Sequence, residues 1–472
     1  MTKSTASTPT ATRLLVLLST LALLSSAQQI GTSQPELHPS LPSQHCSSSS
    51  GCKTAATKVV LDANWRWLHK VGDYKNCFTG NQWDASLCPD PTTCAANCAL
   101  EGARYAETYG ITTTDSALKL KFVTKDQYGT NVGSRVYLLD ASETTYASFK
   151  LLNQEFAVDV DVSQLPCGLN GALYFVQMDP DGGKARFPTN KAGAAYGTGY
   201  CDAQCPRDLK FIHGEANVLN WTASGSDGNA GTGKYGSCCM EMDIWEANRM
   251  STAYTSHPCS VERASRCSSP SECGDGDAHR YDGVCDKDGC DFNPYRLGNR
   301  AFYGPGPSFA VDTTAPFTVV TQFLTHDNTA NGTLVEIKRF YKQRGKIITN
   351  PAANWTGLSA GVDSITDEMC AETKALFKDA NDHAAKGKLA RMGEALRQGV
   401  VLTMSLWADH AAHCLWLDSS YPATSDATLP GVARGTCPTS GGRPDELVQQ
   451  FPEATVQFSN IRVGDIGSTT SA

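Results

Sequence analysis

The chain has 472 residues and a formal net charge of −8, and its basic residues do not form runs. This balance argues against nucleic acid or an anionic membrane surface as a partner, and it is compatible with a neutral ligand. The length would allow two domains, although large β folds often form a single domain of this size.

The first 27 residues have the pattern of a secretory signal. Lys3 and Arg13 stand in a polar segment, an apolar run follows over residues 14–24, and small residues precede position 28. The apolar run of 11 residues is too short to span a bilayer. We therefore expect cleavage after Ala27, a mature chain that begins at Gln28, and a secreted, extracellular protein without a membrane span.

The chain contains 19 cysteines, which in a secreted protein predicts disulfides and, because the number is odd, one remaining thiol. The alternative is a four-thiolate zinc site at Cys201, Cys205, Cys238 and Cys239, which an oxidising compartment disfavours. Glycosylation sequons fit the same compartment, and they stand at Asn220, Asn331 and Asn354.

Short alternating segments recur along the chain, separated by Gly, Asn, Asp and Pro. They predict strands over residues 58–61, 118–123, 134–139, 155–162, 173–178, 317–323, 333–341, 400–406 and 455–461. This spacing favours a sandwich of antiparallel sheets with long loops. One helix is predicted over residues 371–398, ending at Gly399.

Tryptophans form a second pattern. Alternation in Asn64-Trp65-Arg66-Trp67 places Trp65 and Trp67 on one face, and Trp407 and Trp416 flank a later loop. Aromatic faces stack on sugar rings, which are apolar above and below, although each tryptophan could instead belong to the core.

Three carboxylates are crowded into the segment EMDIWEAN, at Glu241, Asp243 and Glu246. On a strand Glu241 and Asp243 share a face, whereas Glu246 has the wrong parity, and a helix would also separate it from Glu241. One extra residue, a β-bulge near Ile244 or Trp245, would return Glu246 to the face of the other two. The sequence therefore predicts such a bulge.

Glycoside hydrolysis typically uses two carboxyl groups held close together, one as nucleophile and one as proton donor. After the bulge the two glutamates could approach to about 5–5.5 Å, the separation expected of a retaining enzyme. The alternative is a solvated, charged strand edge. The apolar residues that interleave the acids argue against that alternative; they are Met242, Ile244 and Trp245.

With these features assembled, the chain resembles glycoside hydrolase family 7, the fungal-type cellobiohydrolases and endoglucanases. The resemblance covers essentially the whole predicted mature chain. It is carried by LDANWRW at 61, QLPCGLNGALYFV at 164, YGTGYCDAQCPRDLKFI at 196, GSCCMEMDIWEAN at 236, CDFNPYRLGN at 290, FYGPG at 302, MSLW at 404, LWLDSSYP at 415 and FSNIRVGDIGST at 458.

The resemblance implies a β-jelly-roll of two curved antiparallel sheets, with disulfide-tied loops over a cellulose-binding cleft or tunnel. It implies one catalytic domain over residues 28–472, without a carbohydrate-binding module, acting as a monomer and needing no cofactor or metal. In EMDIWEAN it makes Glu241 the nucleophile, Glu246 the general acid/base and Asp243 the acid that orients the nucleophile. His257 matches a histidine of the same centre.

Substrate-binding roles are implied in the same way. Trp67 matches the cleft entrance, Trp65 a middle subsite, and Trp407 and Trp416 the positions on either side of the cleaved bond. Arg280 and Arg434 match residues that hold departing cellobiose. The other matching positions are Asn170, Tyr174, Lys210, Asp288, Asp291 and Arg296. Calcium at the aspartates between 275 and 291 is disfavoured, because they lack EF-hand spacing.

Loop lengths bear on the mode of action. Residues 217–239 and 259–290 are nearly as long as in the family's cellobiohydrolases, whereas its endoglucanases lack much of them. This favours release of mainly cellobiose from reducing chain ends. An endoglucanase on the same scaffold is the first alternative, a lectin-like sugar-binding protein the second, and a structural extracellular protein the least favoured.

Two departures favour a more open cleft with some internal cleavage. Residues 273–280 are one residue shorter than the family pattern and carry Asp and His in place of a tip tyrosine. After Trp407, Ala408, His410 and Ala411 stand where acidic and aromatic residues are usual.

The resemblance also implies a disulfide pairing, with one family bridge absent at both ends and Cys414 as the remaining thiol. The implied pairs are Cys46–Cys52, Cys77–Cys98, Cys88–Cys94, Cys167–Cys437, Cys201–Cys239, Cys205–Cys238, Cys259–Cys285, Cys267–Cys273 and Cys290–Cys370.

Overall fold

The computed structural model describes residues 1–2 and 28–470. The predicted signal segment therefore lies, apart from its first two positions, outside the described residues, and cleavage after Ala27 stays a prediction. Among the described residues, no helix combines the length and the apolar composition needed to cross a bilayer.

Two large sheets dominate the structure. The inner sheet runs, in spatial order, through Cys290–Phe292, Thr252–His257, Glu241–Ala247, Leu169–Val176, Val400–Ala408, Ser134–Leu139 and Lys58–Leu61, and Ser148–Phe149 pairs with Val400–Ala408. The outer sheet runs through Gly51–Ala55, Ser43–Ser47, Thr455–Asp465, Gln154–Asp161, Phe317–Thr325, Leu334–Gln343 and Lys346–Thr349. Ala117–Lys121 pairs with both Thr455–Asp465 and Ile111–Thr114. Every pairing within these two sheets is antiparallel except that of Ser43–Ser47 with Thr455–Asp465.

Smaller elements occupy the connections. The short strands are Gln29–Ile30, Leu68–Lys70, Phe78–Thr79, Gln82–Trp83, Cys98–Leu100, Val123–Lys125, Thr130–Val132, Phe211–Ile212, Glu215–Ala216, Thr222–Ala223, Gly231–Thr232, Gly236–Cys238, Ser265–Cys267, Tyr303–Gly304 and Val311–Asp312. The α-helices are Pro91–Asn97, Tyr105–Tyr109, Pro270–Cys273, Asp367–Phe377, Asp382–Ala385, Lys388–Gln398, Leu415–Asp418 and Pro444–Gln450, and Ala194–Tyr196 is a 3₁₀ turn.

The main core lies between the two sheets. Trp245 of the inner sheet is fully buried and makes edge contacts with Phe317 and Phe458 of the outer sheet, at centroid distances of 6.4 and 6.2 Å. Phe156 and Phe175 meet across the same layer at 5.2 Å. Each such side chain stabilises the sandwich by about 1.5–3 kcal/mol through burial. The predicted sandwich of antiparallel sheets is confirmed.

Most predicted strands are present with shifted ends. The strand predicted over 118–123 is two strands, Ala117–Lys121 and Val123–Lys125, and the one predicted over 173–178 is Leu169–Val176. The extended pattern around Trp65 is wrong, because residues 63–65 form a turn in which Trp65 N donates to Asp62 O.

The single helix predicted over 371–398 is also wrong. Three helices occupy this region, because Lys378 adopts a left-handed conformation that ends the first and Asn381 caps the second. Gly387, with φ of 102°, precedes the third helix, which ends at Gly399 as predicted.

All nine implied disulfides are present. The zinc alternative is therefore wrong, because its four cysteines form the bridges Cys201–Cys239 and Cys205–Cys238. Cys414 is the free, buried cysteine, as expected. Burial raises the pKa of its thiol well above the ordinary value, which disfavours the reactive thiolate.

We expect the native protein to show no reactive thiol and the denatured, non-reduced protein to show one per chain. The measurement is titration with a thiol reagent before and after addition of guanidinium chloride. Alkylation of Cys414 in the native protein, or a second thiol after denaturation, would contradict the assignment.

Candidate active site

The predicted bulge lies at Ile244. In the pairing with the strand Leu169–Val176, Tyr174 is opposite Asp243 and Leu173 is opposite Trp245, so that Ile244 is the extra residue. The pairing with Thr252–His257 shifts at the same place. Glu246 consequently lies opposite Ala172, on the same sheet face as Glu241 and Asp243.

A buried arginine from the outer sheet supports this bulge. The Arg339 guanidinium donates a hydrogen bond to the backbone carbonyl of Ile244, the residue that the bulge removes from the regular ladder. Arg339 is 1% exposed, and no carboxylate in the described part of the chain forms an ion pair with it. Its Nε donates to Thr321 Oγ1 at 3.2 Å, and its guanidinium lies 4.3 Å from the Tyr254 ring centroid.

The two glutamates share one environment. Glu241 Oε2 accepts from the backbone N–H of Ala203 at 3.0 Å, and Glu246 Oε1 accepts from Asn170 Nδ2 at 2.8 Å. Burial, reinforced by the charge of Asp243, raises the pKa of Glu246 to about 8 and that of Glu241 well above its ordinary value. With a pKa of about 8, Glu246 keeps its proton at neutral pH, as a general acid must.

His257 provides the positive charge of this cluster. Its Nδ1–H donates to the carbonyl of Asp286 at 2.8 Å, and its Nε2 lies 3.0 Å from Asp243 Oδ2. Burial alone lowers the pKa, but the hydrogen bond and charge of Asp243 raise the pKa of His257 to about 9. His257 is therefore cationic at neutral pH and holds the Asp243 side chain in place. Gly289 permits this arrangement, because a Cβ there would lie 2.6 Å from the His257 ring.

An ionic network lies beside the acids. Asp291 is paired in the sheet with Thr255, which is opposite Asp243, and it forms an ion pair with Arg296. Arg434 Nη1 is 4.0 Å from Asp291 Oδ2, and its buried Nε has no hydrogen-bond partner among the described residues. Burial, followed by the charge of Arg296, lowers the pKa of Arg434 to about 10.

The neighbouring loop supplies a second ionic pair to this network. Arg280 Nε donates to Asp288 Oδ1 at 2.5 Å, and Asp288 also accepts from Tyr281. Positively charged donors with incompletely satisfied N–H groups suit the hydroxyls of a neutral sugar.

Aromatic and polar residues occupy the other side of the acids. The rings of Trp407 and Trp416 are stacked at 6.3 Å, and Tyr174 Oη is 2.9 Å from Tyr200 Oη. Trp65 faces the Arg135 guanidinium at 5.1 Å. Lys210 Nζ donates to the Asn64 carbonyl at 2.6 Å, and burial lowers the pKa of Lys210 to about 8.

Trp67 lies apart from Trp65, in contact with different partners. Its indole stacks on His69 at 4.0 Å and on Tyr74 at 5.9 Å, and its Nε1 donates to Asn76 at 2.7 Å. The predicted residues therefore extend across the inner sheet, from Trp65 beside Ser134–Leu139 to Asp291 in Cys290–Phe292. Five strand spacings separate these strands, about 24 Å.

Sequence reasoning missed three residues of this region: Arg339, Asp202 and Arg135. Asp202 is buried near Glu241, accepts from Tyr200 Oη at 2.6 Å, and has a pKa that burial raises. The Arg135 guanidinium forms an ion pair with Asp62 and lies 3.3 Å from the Tyr200 ring centroid. The motif YGTGYCDAQCPRD contained Asp202, but a loop has no periodicity from which its direction could be predicted.

A jelly-roll sandwich with paired glutamates on its open face defines a glycoside hydrolase of the two-carboxylate type. The comparisons identify the family. A sequence model described as glycosyl hydrolase family 7 matches residues 30–470. The chain belongs to this family.

Solved structures agree with this assignment. A cellobiohydrolase from Daphnia pulex is 54% identical, with a TM-score of 0.92, and the match covers 94% of this chain and 100% of that one. A cellobiohydrolase from Melanocarpus albomyces complexed with cellotetraose is 46% identical, with a TM-score of 0.87 and the same coverage. The Humicola insolens endocellulase EGI is 37% identical, with a TM-score of 0.79, covering 93% of this chain and 100% of that one.

The contact between Arg339 and the bulge generates a prediction. We expect Arg339→Met to lower kcat on a soluble aryl glycoside by about 10- to 100-fold, because a small displacement of Glu246 is costly to catalysis. We expect a smaller effect on KM, since the bulge lies beneath the acids and does not line the sugar-binding tryptophans.

The stability of Arg339→Met is a poorer readout, because loss of the hydrogen bond and removal of the buried charge affect the free energy of unfolding in opposite directions. Arg344→Met, at a 62% exposed side chain that pairs with Asp312, is the matched control and should leave kcat unchanged. Full activity of folded Arg339→Met would contradict the positioning role.

Proposed function

We propose that this chain is a secreted cellobiohydrolase that hydrolyses β-1,4-glucosidic bonds in cellulose with retention of configuration and releases mainly cellobiose from reducing chain ends. The observation that carries the proposal is the bulge at Ile244, which places Glu246 on the face of Glu241 and Asp243. Greater similarity to the two cellobiohydrolases than to the endocellulase favours this mode of action over internal cleavage.

In the proposed mechanism, the Glu241 carboxylate attacks the anomeric carbon while Glu246 protonates the departing glycosidic oxygen. The C–O bond breaks, cellobiose leaves, and a covalent glycosyl-enzyme ester remains at Glu241. Glu246, now a carboxylate, removes a proton from water, which attacks the same carbon and releases Glu241. The cationic His257 neutralises Asp243, so that Asp243 orients the nucleophile without adding a further net charge.

In this proposal the substrate lies across the strands of the inner sheet. Trp67 and Trp65 receive the chain, and Trp407 and Trp416 stack on the sugars beside the cleaved bond. Arg280 and Arg434, with Asp288, Asp291 and Arg296, hold the product. Asn170, Tyr174 and Lys210 bind hydroxyls between these groups. The ligands named for related structures, cellotetraose and cellobiose, support a cello-oligosaccharide in this place.

The catalytic roles are tested by comparing two substrates. On cellulose we expect wild type to release mainly cellobiose, and we expect Glu246→Gln and Glu241→Gln each to lose at least about 10²–10⁴-fold in rate. On an aryl β-cellobioside with a good leaving group, Glu246→Gln should retain formation of the covalent intermediate, because that leaving group needs no proton. Glu241→Gln should lose activity on both substrates.

If Glu241→Gln formed the covalent intermediate and Glu246→Gln lost activity on both substrates, the two roles would be reversed. A rapid fall in the viscosity of soluble cellulose without matching release of reducing ends would favour the endoglucanase. Calorimetric binding of cello-oligosaccharides without turnover would favour the lectin-like alternative.

A pH dependence follows from the environment of Glu246. Because its pKa is raised to about 8, the acid is present below that pH and lost above it, so kcat/KM on a cello-oligosaccharide should fall as the pH rises through about 8. The Asn170 hydrogen bond lowers this pKa. We therefore expect Asn170→Ala to move the alkaline limb upward by about half a pH unit. A downward shift would contradict the assignment of Glu246 as the acid.

A further inference from the structure

A histidine in the segment 408–414 contacts the long segment 217–235. His410 Nδ1 lies 3.1 Å from the carbonyl oxygen of Ser226, and His410 Nε2 lies 3.7 Å from Asp227 Oδ2. His410 was one of the residues that suggested an open cleft, yet at this position the two segments meet. The side chains are partly exposed, 38% for His410 and 24% for Asp227.

The register of the inner sheet gives the distance between His410 and Glu241 along the strands. Val176 is opposite both Glu241 and Val401, whereas Ala408 is opposite Leu169. His410 therefore leaves the sheet at the end of the strands remote from Glu241, about seven residues or 23 Å away along the strand direction. The segment 217–235 has its base at the Glu241 end, where it leads into Gly236–Cys238. A contact between its tip and His410 must cross the length of the sheet.

Between its base and His410, this segment contacts the hairpin around residue 81. Residues 222–232 form a two-stranded ribbon, and Trp221 packs against Phe78, whose ring is 4.9 Å from Lys210 Nζ. Asn81 Nδ2 donates to the carbonyls of Ser224 and Asp227, so one flank of the ribbon rests on the hairpin around residue 81. His410 supports the other flank, three residues after Trp407.

We propose that His410 and Asp227 form a protonation-dependent clasp that holds the roof of the cleft closed and thereby determines how often the enzyme cleaves inside a chain instead of at its end. This inference rests on the proposed function for its consequence, but the clasp itself does not. A closed roof admits the substrate only by threading, and an open roof admits an internal segment.

The sign of the pH dependence follows from the two contacts. Neutral His410 can donate only through Nδ1, to the Ser226 carbonyl, and then presents a lone pair to the Asp227 carboxylate. Protonated His410 donates to both, so the charged ring adds a charge-assisted hydrogen bond between the two segments. Asp409 and His413 are titratable groups of the same segment, and Asp208 interacts electrostatically with Asp227. Asp409 accepts hydrogen bonds from Ala411 N, Ala412 N and Trp416 Nε1. We therefore expect closure to be stronger at pH 5 than at pH 7.5.

The test compares wild type with His410→Gln, which can still donate to Ser226 O but carries no charge, and with Asp227→Asn. His413→Asn is the matched control, because it removes a histidine of the same segment at a left-handed position that Asn tolerates. On amorphous cellulose, at equal conversion, we measure the ratio of soluble to insoluble reducing ends at pH 5 and pH 7.5. Amide hydrogen exchange of residues 217–235, corrected for the intrinsic pH dependence, reports the roof without turnover.

We expect the wild-type ratio and the protection of residues 217–235 to fall by about two- to fivefold between these pH values, the range of a partly exposed ion pair. His413→Asn should behave like wild type, and both clasp variants, alone and combined, should be independent of pH. Equal pH dependence in wild type and His410→Gln would overturn the clasp. If residues 217–235 showed pH-dependent protection but the enzyme released no cellobiose, the proposed function would be overturned and the clasp would be supported.

Discussion

The active site depends on one hydrogen bond between the sheets, from the Arg339 guanidinium to the carbonyl of Ile244. A regular strand cannot place side chains five positions apart on one face, so the bulge is required, and a bulge leaves backbone polar groups unpaired. A buried, unpaired carbonyl costs about 1–3 kcal/mol. Arg339 satisfies it from the opposite sheet, and the faces of Tyr254 and Tyr341 accept part of the buried charge, at 4.3 and 5.8 Å. The core of the sandwich is thus also the support of Glu246.

The protonation of the acids follows from the position of Glu246. Once Glu246 joins Glu241 and Asp243 on one face of the sheet, burial and mutual repulsion raise the pKa of both glutamates. His257 is the cation bonded directly within this cluster, and it neutralises Asp243 rather than either glutamate. A proton therefore has to remain on the glutamate pair, which is the state that a nucleophile and an acid require together. Arg296 and Arg434 lie beside Asp291, two strands from the strand of Glu241, and so leave that proton in place.

The bulge at Ile244 was predictable because strand parity is a local property, readable from eight residues. The disulfides were predictable only through the resemblance, since spacing alone leaves the pairing open. Arg339 was not predictable, because it lies 95 positions from the carbonyl that it satisfies and nothing in its own strand marks it. The break in the predicted helix was missed for another reason. Asn381 and Gly387 are local stop signals, but neither residue type is confined to helix ends, so the sequence does not require the breaks.

The sheet and the loops divide the work of this enzyme. The acids stand on a strand in the interior of a hydrogen-bonded sheet, and one face of this sheet packs against the core. The segment 217–235 is tied at its base by the bridges Cys201–Cys239 and Cys205–Cys238, directly before Glu241. Its tip forms polar contacts with Asn81 and His410. In the proposed clasp, covalent bonds at the base and polar contacts at the tip would let the segment open without displacing the strand that carries the acids. Access to the cleft and the geometry of catalysis would then vary independently.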